Sequence, residues 1–321
     1  MNIWIVVVNY NGWDDTRKCL QSLERLADPA SVVLIDNASR DDRLGEFAAE
    51  FPWCFTVRSD TNGGWAGGNN LGMRYALEHD ADWMLLLNND TTVAPNLIGS
   101  LRDAVERHPT YGVLGPVICC MDRPEEVMTD GCVFNHAGYN GFFERKPVSL
   151  PSDITDVEIV NGCALFVSRR VTDAIGLVDE AFFLIHEESD FCLRARQAGF
   201  GCGVLGEKLV WHKGSSTFER TGSRIQRYYD ARNLRLLLDK HNGRHVEGRA
   251  RLASRRMYWK YVYYRYCIEK ENASIDSARA VLEGVCDGLA GRYGPLKPRR
   301  RLTLPLLRGL FDAVRTIRGS R

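Results

Sequence analysis

Trp83-Met84-Leu85-Leu86-Leu87-Asn88-Asn89-Asp90-Thr91 runs five apolar residues into an abrupt polar stop. A short apolar run closed by turn-forming residues reads as a buried strand whose end faces a crevice. Two earlier stretches repeat the pattern. Ile3 to Val8 stops at Asn9-Tyr10-Asn11-Gly12, and Val32 to Ile35 stops at Asp36-Asn37. Helical spacing fills the gaps: Cys19, Leu20, Leu23 and Leu26 follow a start that Asp14 or Asp15 can cap, and Leu44, Phe47, Ala48 and Phe51 precede Pro52. Phe55 to Val57 offers a third strand, and a helix to about His79 follows the glycine-rich stretch Gly63 to Gly68. Alternating strands and helices imply an α/β fold with a mostly parallel central sheet flanked by helices. Ligands then bind beyond the carboxyl ends of the strands, so the clusters at Asn9, Asp36 and Asp90 should converge.

Further along, strands are expected at Val113–Cys119 and Ala164–Val167, and a helix at Ser189–Ala198 closed by Gly199. Beyond residue 224 the chain reads as helical, basic and rich in Tyr and Trp, ending in Pro298-Arg299-Arg300-Arg301 and an amphipathic Leu302 to Ile317. The expected division is a catalytic domain over 1–223, with a nucleotide half to about 110 and an acceptor half over 111–223, then a C-terminal helical extension over 224–321.

The chain has 321 residues, 45% hydrophobic and 26% charged, enough to bury a sizeable core. Its ten cysteines show no CxxC spacing, which disfavours a disulfide framework or zinc cage and suits a reducing cytoplasm. No run of about twenty apolar residues suggests a membrane span. The net charge of +1 conceals a division. Residues 1–223 carry 19 Lys/Arg against 32 Asp/Glu, and residues 224–321 carry 23 against 9, giving −13 and +14. The basic segment could meet an anionic surface, although a solvated helical face would look the same.

Four constellations carry chemistry. Asn88-Asn89-Asp90-Thr91 places a carboxylate at a strand end, where a divalent cation could neutralise phosphate charge; a strand-ending Asx turn uses the same residues. Gly63-Gly64-Trp65-Ala66-Gly67-Gly68-Asn69-Asn70 would bring backbone amides close to a ligand at a helix start, and no GxGxxG frame fits it. Glu187, Glu188 and Asp190 crowd at an expected strand-to-helix junction, which suits a general base and equally suits helix capping. His212, after an apolar segment, could complete an oxygen-rich metal site beside Asp90.

Together Val8-Asn9-Tyr10-Asn11, Asp36-Asn37-Ala38-Ser39, Gly67-Gly68-Asn69-Asn70, Leu87-Asn88-Asn89-Asp90-Thr91, Asp179-Glu180-Ala181-Phe182-Phe183, Glu187-Glu188-Ser189-Asp190 and His212 resemble glycosyltransferase family two, and within it the rhamnosyltransferase-like branch. The resemblance spans roughly residues 3–235. It implies the GT-A type nucleotide-diphospho-sugar transferase fold and a one-step displacement with inversion. By position, Asn9, Asn11, Asp36 and Asn37 would meet the nucleotide, and Gly67, Gly68, Asn69, Asn70 and Asn89 the donor. Asp90 and His212 would hold Mg²⁺ or Mn²⁺. The family's Glu-Asp-x-Asp motif usually places the base at its second residue, which here is Glu188; Glu187 and Asp190 stand in reserve. Asn88 stands where many relatives have an acid, leaving Asp90 the main charged ligand.

The implied partners are a nucleotide-diphospho-sugar donor, dTDP-rhamnose or a UDP-sugar, and a glycan or lipid-linked acceptor. A cytoplasmic enzyme at the inner face of the cell membrane would follow, with residues 297–321 touching lipid. No nucleic acid is expected. Two other classes compete. A nucleotidyltransferase would place a basic glycine-rich loop after the first strand, where Asn9-Tyr10-Asn11-Gly12 stands instead. A non-catalytic scaffold binding through 224–321 would have no use for three carboxylates at 187, 188 and 190.

Overall fold

A computed structural model describes residues 1–136, 142–214, 224–245, 248–272, 274–299 and 301–319. The elements run β1 (Ile3–Asn9), α1 (Trp13–Leu23), β2 (Ser31–Asp36), α2 (Leu44–Glu50), β3 (Cys54–Arg58), α3 (Gly64–Glu78), β4 (Trp83–Asn88), β5 (Thr91–Val93), α4 (Leu97–Arg107), β6 (Tyr111–Cys120), β7 (Val127–Thr129), β8 (Gly131–Phe134), β9 (Phe143–Lys146), β10 (Ser152–Val157), β11 (Ala164–Ser168), α5 (Arg169–Ile175), α6 (Glu187–Gln197), β12 (Gly201–His212), α7 (Arg224–His245), α8 (Gly248–Glu271), α9 (Ile275–Leu289) and α10 (Leu304–Gly319).

The main sheet has the order β10-β12-β6-β11-β4-β1-β2-β3, with β5 on β12 and β7 on β6. Its first half, β4-β1-β2-β3, is parallel throughout. The second half is mixed, because β11 runs antiparallel to both β4 and β6, while β12 runs parallel to β6. Register fixes the crevice: Asn9 pairs with Asp36, and Val8 with Asn88, so three carboxyl ends finish at one level. Because β11 opposes β4, the start of β11 reaches the same edge, with Ala164 opposite Leu87.

Burial explains these elements. Ile5, Val6, Val7, Val33, Leu34, Leu85 and Leu86 are all 0% exposed, as two-sided coverage of a parallel sheet demands. Gly72 lets α3 lie close on this sheet, since a Cβ there would come within 2.2 Å of Val6 Cγ1. The glycine-rich stretch belongs to α3 rather than to a loop before it, and Gly64 opens the helix at φ +70. Asn69 and Asn70 therefore sit in its second turn. Asp14 and Asp15 do not cap α1: Gly12 is the N-cap, and the two acids occupy the first turn.

The chain divides into two compact units, one of Met1–Phe134, Arg145–Glu180 and Glu187–Gly214, the other of Asn135–Glu144, Ala181–His186 and Ser215–Arg321. A simple division at 223 was the sequence expectation; that position lies outside the described residues, and two short upstream segments cluster with the C-terminal helices. In the second unit, Phe182 to Ile185 is not a strand. Phe183, Ile185 and His186 adopt left-handed φ of 65°, 73° and 71°. Their turn is held from α7, where Asn233 Nδ2 donates to the carbonyls of Phe182, Leu184 and Ile185 at 2.9, 2.7 and 2.8 Å. The buried Arg232 donates to Phe182 O at 2.8 Å and Ala181 O at 3.1 Å.

Candidate active site

The strand ends hold one another through side chains. Asn9 is 0% exposed; its Oδ1 accepts from Gly12 N and Thr16 Oγ1, both at 3.0 Å, and its Nδ2 donates to Ser39 Oγ at 3.0 Å. Asn11 turns left-handed at φ 58, donates its N–H to Ser39 Oγ at 2.9 Å and accepts from Arg40 N at 2.8 Å. Asp36 accepts from Ser39 N at 3.1 Å and is ion-paired with Arg58. Asn37 Oδ1 accepts from Gly63 N at 3.0 Å, while its Nδ2 donates to Gly64 O at 2.9 Å. Asn9, Asp36 and Asn37 are thus buried braces of the loops in this conformation, and Asn11 is the exposed member of the group.

α3 contributes in two ways. Gly68 provides close packing: a Cβ there would meet Val8 Cγ1 at 2.7 Å and Asn37 Nδ2 at 3.1 Å. Asn70 is 2% exposed and fully engaged, donating to Val178 O and Glu180 Oε1 at 2.8 and 2.9 Å and accepting from Val178 N at 3.0 Å. Asn69 donates to Trp65 O at 2.9 Å. Gly68, Asn69 and Asn70, the expected ligand contacts, serve packing and loop anchoring in this conformation. Gly67 stays open, with a Cβ position 3.9 Å from the Glu180 carboxylate.

At the end of β4, Asn89 Nδ2 donates to Thr16 Oγ1 at 2.8 Å and Gly12 O at 3.2 Å, joining this strand to the first loop. Asn88 Oδ1 accepts from the Trp65 indole N–H at 3.0 Å. β5 pairs His212 with Thr91, and His212 Nε2 consequently lies 3.0 Å from Asp90 Oδ1. Lys213 N donates to Asp90 O at 3.0 Å, and its ammonium pairs with Asp15 at 2.9 Å.

The carboxylates of α6 separate by environment. Glu187 is 4% exposed, its Oε2 has no hydrogen-bond partner among the described residues, and burial, then the neighbouring Glu188, holds its carboxyl well above the usual range. Glu188 is half-buried and accepts from Ser189 Oγ at 3.1 Å. Asp190 is 0% exposed and bound by Arg194 Nε at 2.8 Å, a guanidinium that also reaches Ile175 O and Leu177 O. In this conformation Asp190 is buried and ion-paired with Arg194, which anchors α6.

One residue that the sequence reading missed completes the arrangement. Gly162, just before β11, sits between Trp65 and Glu188: a Cβ there would lie 3.2 Å from Glu188 Cβ and 3.3 Å from Trp65 Cζ2. Asn88, Trp65, Gly162 and Glu188 thus lie side by side, and Asp90 follows Asn88 by two residues. The available signal was the Asn161-Gly162 turn preceding an apolar strand.

Among the described residues no group of three or more His, Cys, Asp and Glu side chains could hold a metal. Asp90 and His212 do fit a shared ion: two adjacent ligands of an octahedral cation with bonds of about 2.1 Å stand about 3.0 Å apart. Two protein ligands leave the other positions to phosphate oxygens and water, the usual habit of Mg²⁺ at nucleotide sites.

Residues 4–161 match the model of glycosyl transferase family 2, and residues 83–268 that of glycosyl transferase family group 2. The dTDP-rhamnosyl transferase RfbF of Shigella flexneri is 25% identical over 91% of this chain and 97% of its own. The N-acetylglucosaminyl-diphospho-decaprenol L-rhamnosyltransferase of Mycobacterium tuberculosis is 26% identical over 74% of this chain and 85% of its own. The mannosyltransferase PcManGT of Pyrobaculum calidifontis, solved with GDP-Man and Mn²⁺, superposes with a TM-score of 0.53 at 16% identity over 98% of this chain and 80% of that one. With a GT-A type fold, the ordered strand-end motifs and a family-group match across more than half its length, the chain belongs to glycosyl transferase family group 2 and is a glycosyltransferase.

Proposed function

We propose that this protein is an inverting, metal-dependent transferase that moves rhamnose from dTDP-rhamnose to a glycan acceptor carried on a lipid at the inner face of the cell membrane. The observation that carries the reading is the 3.0 Å approach of His212 to Asp90, two residues beyond the Asn88 that holds Trp65. Asp90 and His212 would hold Mg²⁺ or Mn²⁺. Bound there, the ion would neutralise charge on the diphosphate leaving group. The rhamnosyl donor is supported by the two curated rhamnosyltransferases, the first aligned over nearly its whole length.

Glu188 is the base in this reading. As the acceptor hydroxyl oxygen bonds to the anomeric carbon, its proton passes to the Glu188 carboxylate, and the bond from that carbon to the diphosphate oxygen breaks on the opposite side. Burial, and then Glu188, push the Glu187 carboxyl up, so it resists carrying a second negative charge beside Glu188. Trp65, fixed by Asn88, walls the space between phosphate and base. The exposed Asn11 and the half-buried Gly67 backbone are the groups left to meet the nucleotide and sugar.

Thermal-shift screening against dTDP-, UDP- and GDP-sugars with and without Mn²⁺ tests this. A ligand at a hundredfold its dissociation constant adds about 2.7 kcal/mol of stability. The expected result is a shift with dTDP-rhamnose that grows with Mn²⁺; a flat response across the panel would sink the reading.

A further inference from the structure

The C-terminal unit presents an apolar face that its own packing leaves open. One side of α10 is well anchored: Phe311, 4% exposed, packs edge-on against Trp259, Tyr263 and Tyr266, and Tyr266 donates its hydroxyl to Asp312 at 2.7 Å. Just before the helix, the buried Arg301 donates to Asp287 at 2.6 Å. The other side is bare. Leu306 and Leu310 are 78% and 59% exposed, and Leu302, in the preceding turn, is 77% exposed. At a spacing of four they share one stripe, which the exposed Gly309 and Ala313 complete without a charge.

Its surroundings are cationic. Lys297, Arg299, Arg308 and Arg315 are exposed, and Asp312 is the sole acid between residues 297 and 315. Beside the stripe, α8, α9 and α10 enclose a groove of about 450 Å³ in which Lys270, Arg279 and Arg308 stand over Ile275, Leu282 and Leu304. Glu283 pairs with Arg279 at 3.0 Å, and Asp312 lies 3.9 Å from Lys270 and 3.7 Å from Arg308, so cations still exceed acids there. Among the described residues no helix is long and apolar enough to cross a membrane.

We infer that this face seats on an anionic phospholipid surface, with Leu302, Leu306 and Leu310 entering the boundary of the acyl chains and the cations taking headgroup phosphates. An apolar stripe on a basic unit is the pattern of a helix lying in the interface, and charge complementarity selects anionic lipid over a neutral partner. The inference deepens the reading of a lipid-borne acceptor, yet vesicles without glycan or sugar nucleotide test it separately from transfer.

The experiment is flotation of the full chain with phosphatidylcholine vesicles and with vesicles containing roughly a third phosphatidylglycerol. Binding is expected to the anionic vesicles and to fall as salt rises. Leu306→Glu with Leu310→Glu should lower it at least tenfold, Leu306→Phe with Leu310→Phe should retain it, and Arg279→Gln with Arg308→Gln should lower it roughly 25-fold, at about fivefold for each of the two lost cations. No binding, equal binding to both vesicle types, or binding untouched by the glutamate pair would overturn the inference. So would a dimer in light scattering that the glutamate pair dissociates, which would give the face to a second copy.

Discussion

His212 Nε2 stands 3.0 Å from Asp90 Oδ1 although 122 residues separate them. The pairing of β5 with β12 creates this approach, and it brings together the two half-buried side chains proposed as metal ligands. Asp90→Asn should abolish the Mn²⁺-dependent part of the dTDP-rhamnose thermal shift. His212→Ala should weaken metal affinity by at least the tenfold or so that even an outer-shell partner costs. A Mn²⁺ titration followed by melting temperature reads both, and an undiminished shift in Asp90→Asn would move the metal elsewhere.

Glu187 and Glu188 should respond differently to the same amide substitution. Glu188→Gln removes the proposed proton acceptor and should lower turnover by roughly a hundredfold or more while leaving the donor-induced thermal shift intact. Glu187→Gln replaces a buried carboxyl that resists ionisation by a neutral amide of similar shape, so most of the activity should survive. Steady-state rates of both variants decide it. If Glu187→Gln proves the inactive one, the roles are reversed.

The buried Glu187 also makes a signed prediction about pH. Its carboxyl is raised in the folded chain, chiefly by burial and secondly by Glu188, so the folded state holds its proton where the unfolded state has released it. The associated stability is complete below the ordinary carboxylate range and declines as pH rises from there toward the folded value, by up to about 1.4 kcal/mol per pH unit. Melting temperatures of wild type and Glu187→Gln from pH 4 to 8 should therefore diverge, the variant gaining relative stability as pH rises. Parallel curves would mean that Glu187 ionises normally.

The sheet's parallel half was legible because each strand is a short apolar run ending in Asn or Asp, and the same pattern placed Asn9, Asp36 and Asp90 at one edge. Glu188 and His212 stood out as part of a carboxylate cluster and as a histidine after an apolar segment, and the motif resemblance suggested their roles. What pattern alone could not give is burial. Asn37 and Asn70 look like ligand contacts in sequence, and only packing shows them bracing Gly63 and Val178. The glycines of α3 suggested a loop by propensity, and close packing on Val6 and Val8 overrides that weak preference. β7 to β10 are too short and irregular to show a period, and α4 was left unassigned although Leu97, Leu101, Ala104 and Val105 mark its buried face.

Gly72 offers a case in which two effects of opposite sign can be weighed. In an open helix Gly72→Ala would gain about 1 kcal/mol of helix propensity. Here the added methyl would come within 2.2 Å of Val6 Cγ1 and 3.2 Å of Ile35 Cγ1, and both neighbours are stiff, β-branched and 0% exposed. Neither can swing aside, and β1 is fixed on both edges by β2 and β4. Overpacking of this kind costs about 1–3 kcal/mol, so the clash should prevail and Gly72→Ala should melt several degrees lower. Val6→Ala alone leaves a cavity and should also destabilise, but the two together refill the space, giving a favourable coupling of at least about 0.5 kcal/mol in a double-mutant cycle. Additive losses, or a Gly72→Ala variant as stable as wild type, would show that α3 lifts from the sheet freely and that the donor-side loop it carries is not rigidly placed.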